Sequence, residues 1–176
     1  FDNDFTAGDG KVTWRYAHAY IALLNADNYL GHNDWRLPTI KELASIVDSG
    51  ISEPAINTSL FNNIATDAYW SSTTYADSAE YGEDAGAWKV NFRIGYVGVN
   101  LKTYDNYVLA VRGQSLNMLP SLFNNGDGTI TDTNTGLMWQ EVTAPGTYTW
   151  FQAINYCNTL SLGNYDDWRL PTRNEL

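Results

Sequence analysis

Asp34-Trp35-Arg36-Leu37-Pro38-Thr39, with Glu42-Leu43 just beyond, decides how this chain is read, because residues 167–172 spell the same six residues and Glu175-Leu176 follows them. The start-to-start distance, 167 minus 34, sets a period of 133 residues. The likeness runs upstream as well: Trp14, Ala17, Tyr20 and Leu24 align with Trp150, Ala153, Tyr156 and Leu160, at an offset three residues larger because the loop Asn25–Asn33 is longer in the first copy. A period of this size is that of a whole domain and not of a solenoid repeat. The chain therefore reads as a first module over residues 1–119, lacking its opening strand segment, and the opening part of a second over 120–176. The stretch Asn124–Asp132 with Gly136-Leu137-Met138-Trp139-Gln140 is that opening segment.

The repeated motif carries the start of a helix. Thr39 stands three residues before Glu42, so its hydroxyl can accept from the Glu42 N–H while the Glu42 carboxylate reaches back to the Thr39 N–H, a capping box. Pro38 before the cap holds Leu37 out of helical conformation. Thr172 and Glu175 repeat the device. A second helix precedes each motif: Trp150, Ala153, Ile154, Cys157 and Leu160 form one apolar stripe at helical spacing, opened by Thr149 with Gln152.

After Asp48 the pattern changes. Residues 50–63 read as loop, Ala68–Thr73 as a strand, and Trp88, Val90, Phe92 and Ile94 alternate with Lys89, Asn91 and Arg93 as a half-buried strand turning at Gly95. Tyr96–Lys102 and Tyr107–Arg112 complete an antiparallel meander. Two helices followed by several strands give an α+β fold, two helices against a twisted antiparallel sheet.

Composition narrows function. Lys plus Arg number 10 and Asp plus Glu 20, a net charge of −10, the wrong sign for phosphate-driven binding to nucleic acid. Apolar runs such as Tyr20–Leu24 are far shorter than a membrane span, so no membrane insertion is expected. One cysteine and two histidines leave no thiolate-rich metal site and little equipment for nucleophilic catalysis. Low Lys with abundant Asn, Thr, Ser, Gly and Tyr suits a bacterial secreted or cell-surface protein.

Taken together, Trp14 with Ala17 and Tyr20, the Trp35–Thr39 motif with Glu42-Leu43, Tyr69–Thr73, Ala87–Phe92, Tyr107–Gly113 and Asn125–Thr129 with Gly136–Trp139 resemble the Lcl C-terminal-domain family, in the correct order over nearly the whole chain. The Arg-Leu-Pro-Thr helix start and the closing Val-Arg-Gly strand are also similar to the wider group of C-type lectin-like folds that includes the formylglycine-generating enzymes. That second resemblance implies a long loop region that carries ligand sites. Members of the Lcl family are associated with sulfated glycosaminoglycans, but a charge of −10 repels such a ligand at long range, and a neutral or calcium-bridged glycan fits better.

The candidate site residues follow. Asp77, Glu80, Glu83 and Asp84 place four carboxylates in eight residues between two strands, hard oxygen donors of the kind calcium takes; a solvated acidic loop is the other reading. Asn125, Asp127 and Asp132 form a second candidate metal group, although EF-hand spacing would require an oxygen donor where Phe123 stands, so a Gly-rich hairpin turn competes with it. Tyr75, Tyr81, Tyr96 and Tyr104 are candidate rings for stacking on a sugar. Trp35, Arg36, Pro38, Thr39 and Glu42, with Trp168, Arg169, Pro171, Thr172 and Glu175, are read as structural, the arginines holding carboxylates or carbonyls. Cys157 aligns with Ile21 and is expected as a buried small hydrophobe, without the paired cysteine of a formylglycine generator; His18 and His32 are expected at the surface.

These readings lead to an extracellular, non-enzymatic binding or adhesion module for carbohydrate or a surface polymer, with calcium as the one cofactor considered. The alternative is a structural subunit of a surface array or head-to-tail filament, self-associating as the C-terminal segment of one chain completes the next module.

Overall fold

In the computed structural model, residues 9–76, 85–115 and 121–176 are described. The chain divides into two compact units, Phe1–Asn117 and Met118–Leu176. Both are α+β.

Unit 1 is built on a three-stranded antiparallel sheet of β2 (Ala68–Thr74), β3 (Gly86–Asn91) and β4 (Tyr96–Leu101), in that spatial order. Consecutive strand residues point to opposite faces, so Tyr69 and Trp70 look in opposite directions. Both directions are covered. On one face Tyr69, Val90 and Phe92 pack with Leu43 and Val47 from the region of helix α2 (Ile40–Ser45). On the other, Trp70 and Ala87 pack with Val12, Leu37 and the Ala17 and Ile21 stripe of helix α1 (Trp14–Ala26). The Trp70 indole N–H donates to the Val12 carbonyl at 2.8 Å, and the Trp14 indole donates to the Ser71 carbonyl at 2.9 Å, which ties α1 to β2.

The expected meander holds for three strands and ends there. The segment around Tyr107 adds a parallel bridge at Tyr69, and β5 (Val111–Arg112) pairs with β1 (Trp35–Arg36), joining the repeated motif to the far end of unit 1. Expected strand residues Phe92 and Ile94 lie instead in the turn to β4, with Phe92 buried and Ile94 66% exposed. Gly95, at φ 68°, allows that turn: a Cβ there would sit 2.7 Å from Val47 Cγ1, so the turn closes against the end of α2.

The motif itself is a compact hydrogen-bonded knot. The Glu42 carboxylate accepts two Arg36 hydrogen bonds, both 2.7 Å, and also the Thr39 backbone N–H at 2.8 Å; the Thr39 hydroxyl accepts from the Glu42 N–H at 3.3 Å. Arg36 Nε continues to the Gly113 carbonyl. Pro38 and Thr39 are buried, Trp35 is half-buried, and its indole donates to the Tyr29 carbonyl.

Unit 2 contains a second three-stranded antiparallel sheet, β6 (Leu122–Asn124), β7 (Thr129–Asp132) and β8 (Met138–Gln140), followed by helix α3 (Trp150–Thr159). Gln140 donates to the Tyr156 hydroxyl at 2.8 Å and joins α3 to β8. The second motif keeps the carboxylate half of the knot: Arg169 reaches both Glu175 oxygens at 2.8 and 2.6 Å, and the Thr172 N–H and hydroxyl donate to the same carboxylate, while the Glu175 N–H donates to the Thr172 carbonyl and not to its hydroxyl, so the expected capping box is only half made. Trp168 donates its indole N–H to Leu162, and Pro171 is half-buried. The second helix is present here only as a turn.

One motif in two settings yields a prediction. Glu42→Ala strands the Arg36 guanidinium against a buried site and should cost unit 1 about 3 kcal/mol in urea unfolding. Glu175→Ala removes the same contacts at the surface and should leave the thermal midpoint unchanged within error. Equal losses would show that burial does not set the value of the pair.

Candidate functional site

The sheet face under α1 carries a polar and aromatic patch at one end. Register places Lys89 of β3 between Trp70 of β2 and Gly98 of β4, and Ala87 opposite Asn100 one step along the same face. Gly98 leaves a bare floor, and the Tyr96 ring fills it: a Cβ at Gly98 would lie 2.5 Å from Tyr96 Cε1. Lys89 Nζ stands 5.0 Å from the centroid of that ring, a cation–π contact. Tyr96 is nevertheless 55% exposed, so ring surface remains open to solvent.

Lys89 was expected on the solvent side of a half-buried strand; it is 8% exposed. Alternation assigns a polar residue to water only where one face is wet, and here α1 and its flanking segments cover the second face. Burial pushes the Lys89 ammonium below the ordinary lysine pKa, and the Asp67 carboxylate partly opposes this. Asp67 is held by Lys11 at 2.7 Å and by the Ala68 N–H, and it titrates below the ordinary range, chiefly through the hydrogen bond from Lys11.

Further along the face, Asn100 donates to Asn106 Oδ1 at 3.0 Å, while the backbone of Asn106 pairs with Val12 in both directions. Asn106 is 3% exposed, and its Nδ2 is the one buried side-chain donor without a partner among the described residues. Such a donor costs about 1–3 kcal/mol when left unmade.

The other tyrosines do not join this patch. Tyr75 and Tyr104 belong to the opposite end of the sheet, roughly 15 Å along β4 from Tyr96. Tyr75 is half-buried, edge-on to Trp88 at 5.4 Å, and so is engaged in packing, whereas Tyr104 is 56% exposed in the turn after β4. Tyr81 and the acidic residues Asp77, Glu80, Glu83 and Asp84 lie outside the described residues.

Asn125, Asp127 and Asp132 do not form one ligand set. Asn125 donates to the Thr129 and Thr131 hydroxyls, and Asp127 Oδ1 accepts the N–H and hydroxyl of Thr129, so these two shape the β6–β7 turn. Asp132 closes the next turn through Asn134 and Thr135, at the other end of β7 and roughly 10 Å away by strand rise. Among the described residues, no three His, Cys, Asp or Glu side chains are grouped to hold a metal ion.

Lys89, Gly98, Asn100 and Asn106 are the residues that reading the sequence missed. Their signal lay in β4, where Gly98 between two valines opposite a lysine marks a place for a neighbouring ring. His18 is exposed as expected, and it lies edge-on to Trp14 at 4.3 Å, with Lys102 Nζ 4.4 Å from the Trp14 ring. Partial desolvation, and then the Lys102 charge, hold its pKa below 6.5. His32 is half-buried.

A depressed histidine pKa means the unfolded chain takes the proton first. Stability is therefore unaffected by His18 well above pH 6.5 and falls as pH drops through 6.5 toward the lower folded-state pKa. His18→Gln should flatten a shallow slope in that window, read as thermal midpoint against pH; an unchanged slope would remove His18 from the account.

The family model described as the Lcl C-terminal domain matches residues 3–112 and 128–176. No curated protein and no solved structure matches the chain. Among the described residues, no helix is long and apolar enough to cross a membrane.

Proposed function

The chain belongs to the Lcl C-terminal domain family, and from that membership we propose that it is a non-catalytic binding or adhesion module, extracellular or at the cell surface, for carbohydrate or a surface polymer. One observation carries the proposal: the Tyr96 ring, anchored on Gly98 and beside Lys89, presents open aromatic surface from a rigid strand position. A ring fixed in this way loses little freedom when a pyranose stacks on it, so the contact is retained as affinity. The strand places Asn91 directly opposite Tyr96, and Asn100 lies further along the same face, polar groups of the kind that orient sugar hydroxyls.

The net charge of −10 favours neutral glycans over polyanionic ones, because the first approach of a sulfated chain is repelled. Calcium enters this proposal as a bridge at the acidic segment 77–84, whose carboxylates would otherwise oppose acidic sugars.

A glycan array probed with the full chain, with and without calcium, tests the reading. Binding is expected to neutral glycans, and Tyr96→Ala should weaken it about tenfold. Absence of binding in both conditions, or binding indifferent to Tyr96→Ala, would overturn it.

A further inference from the structure

The rim of the Tyr96 ring is one-sided in its hydrogen-bonding chemistry. Lys89 and Asn91 are two residues apart on β3 and so share a face, and Asn91 stands opposite Tyr96 of β4. The Asn91 amide has a fixed orientation: its Oδ1 accepts the Arg93 N–H at 2.8 Å, and its Nδ2 donors have no partner among the described residues. Lys89 is 8% exposed; its Nζ meets the Tyr96 ring at 5.0 Å and no hydrogen-bond acceptor among the described residues. The carboxylate that acts on it, Asp67, already takes Lys11 Nζ on Oδ2 and the Ala68 N–H on Oδ1, each at 2.7 Å. Donors therefore flank the ring, and the acidic acceptor is engaged elsewhere. An ammonium held nine-tenths out of water has lost much of its hydration, so an acceptor brought to it meets little competition from solvent.

Such a rim discriminates between kinds of oxygen on a sugar. A hydroxyl that accepts from Lys89 still carries a proton that needs an acceptor of its own, whereas a carbonyl oxygen offers two lone pairs and no proton. On a neutral pyranose the acetamido group supplies that oxygen, and the N–H of its planar trans amide points the opposite way, toward water. A carboxylate supplies the same lone pairs with a full charge, and the chain's net charge of −10 opposes its approach. Lys89 and Asn91 lie one strand repeat apart, roughly 7 Å, with the Tyr96 ring beside both. A stacked pyranose and one of its substituents together cover that span.

We propose that the Tyr96 site selects N-acetylhexosamines: the pyranose stacks on the Tyr96 ring, and the carbonyl oxygen of its 2-acetamido group accepts from Lys89 Nζ, with the Asn91 amide donating beside it. The assignment rests on the carbohydrate reading above and narrows it to one substituent.

Triacetylchitotriose and cellotriose share a β-1,4-glucose backbone and differ in the 2-substituent alone. Titrated calorimetrically into the full chain, the acetylated sugar is expected to bind at least about tenfold more tightly. Asn91→Asp keeps the oxygen that accepts from Arg93 and exchanges the amide donor for an acceptor; Lys89→Met keeps a buried stem without the ammonium. Each should bring the ratio of affinities toward one with cellotriose little changed, whereas Tyr96→Ala should weaken both sugars alike. Circular dichroism checks that the variants fold, and Asn91→Asp carries the test by itself should Lys89→Met not fold. Equal affinity for the two sugars, with both weakened by Tyr96→Ala, would overturn the acetamido assignment and leave the carbohydrate reading in place. So would binding of neither while the glycan array finds only unacetylated neutral ligands; an array empty in both conditions removes the reading beneath it as well. Tighter binding of methyl glucuronide than of methyl N-acetylglucosaminide would also overturn it, by giving the donors to a carboxylate.

Discussion

The Glu42 carboxylate is the point on which unit 1 is registered. One oxygen takes Arg36 Nη2; the other takes Arg36 Nη1 and the Thr39 N–H, and Arg36 Nε goes on to the Gly113 carbonyl. A single acidic group thereby fixes the start of α2, the end of β1 and the backbone just beyond β5. The geometry is bidentate and charge-assisted, the strongest form such a contact takes. With α2 started at Ile40, Leu43 and Val47 fall on Tyr69, Val90 and Phe92, and the sheet has its first covered face. The second follows from the same motif, since Leu37 joins Ala17 and Ile21 over Trp70.

Unit 2 separates the local part of this arrangement from the rest. Arg169 and the Thr172 N–H reach the Glu175 carboxylate at the surface as Arg36 and the Thr39 N–H reach Glu42, and Glu175 is held down to about pKa 2, first by Arg169 and then by the Thr172 donors. The knot thus closes without a core. What it does not do alone is bury Leu170 or Ala153. The motif fixes direction and register, and the apolar contacts with the sheet fix stability; these are different tasks performed by different residues.

That division explains what the sequence disclosed. Capping boxes at Thr39 and Thr149 are legible because donor and acceptor are three residues apart. The strands at Ala68 and Gly86 are legible from β-branched and aromatic runs. The pairing of β1 with β5 is not, because it joins Trp35 to Arg112 and no local pattern encodes so distant a contact. Lys89 was misplaced for a related reason: alternation reports which face a residue points to, never whether that face is covered, and here Val12, Ala17, Ile21 and Leu37 pack on Trp70 and Ala87 of the same face while the Tyr96 ring lies beside Lys89. In the candidate site, Tyr96 was visible as an aromatic near a turn. Its partner Lys89 and its floor Gly98 needed the strand register. Cys157 was expected to be buried like Ile21 and is half-exposed, because the sheet that covers Ile21 has no described counterpart beside α3.

The acidic balance acquires a second physical role from this contrast. Among the described residues Trp150, Phe151, Leu122, Phe123 and Val142 are largely exposed, and exposed apolar side chains of this kind associate indiscriminately when nothing opposes it. Repulsion among chains of charge −10 opposes non-specific collapse at ordinary salt, and it acts over about a Debye length, roughly 8–10 Å. Contacts that must reach atomic distance, such as the Ser72 N–H on the Pro38 carbonyl or the Trp14 indole N–H on the Ser71 carbonyl, are short-ranged and directional. Long-range repulsion and short-range complementarity therefore act at different distances: charge sets which molecules can approach, and directional contacts set which surfaces then fit.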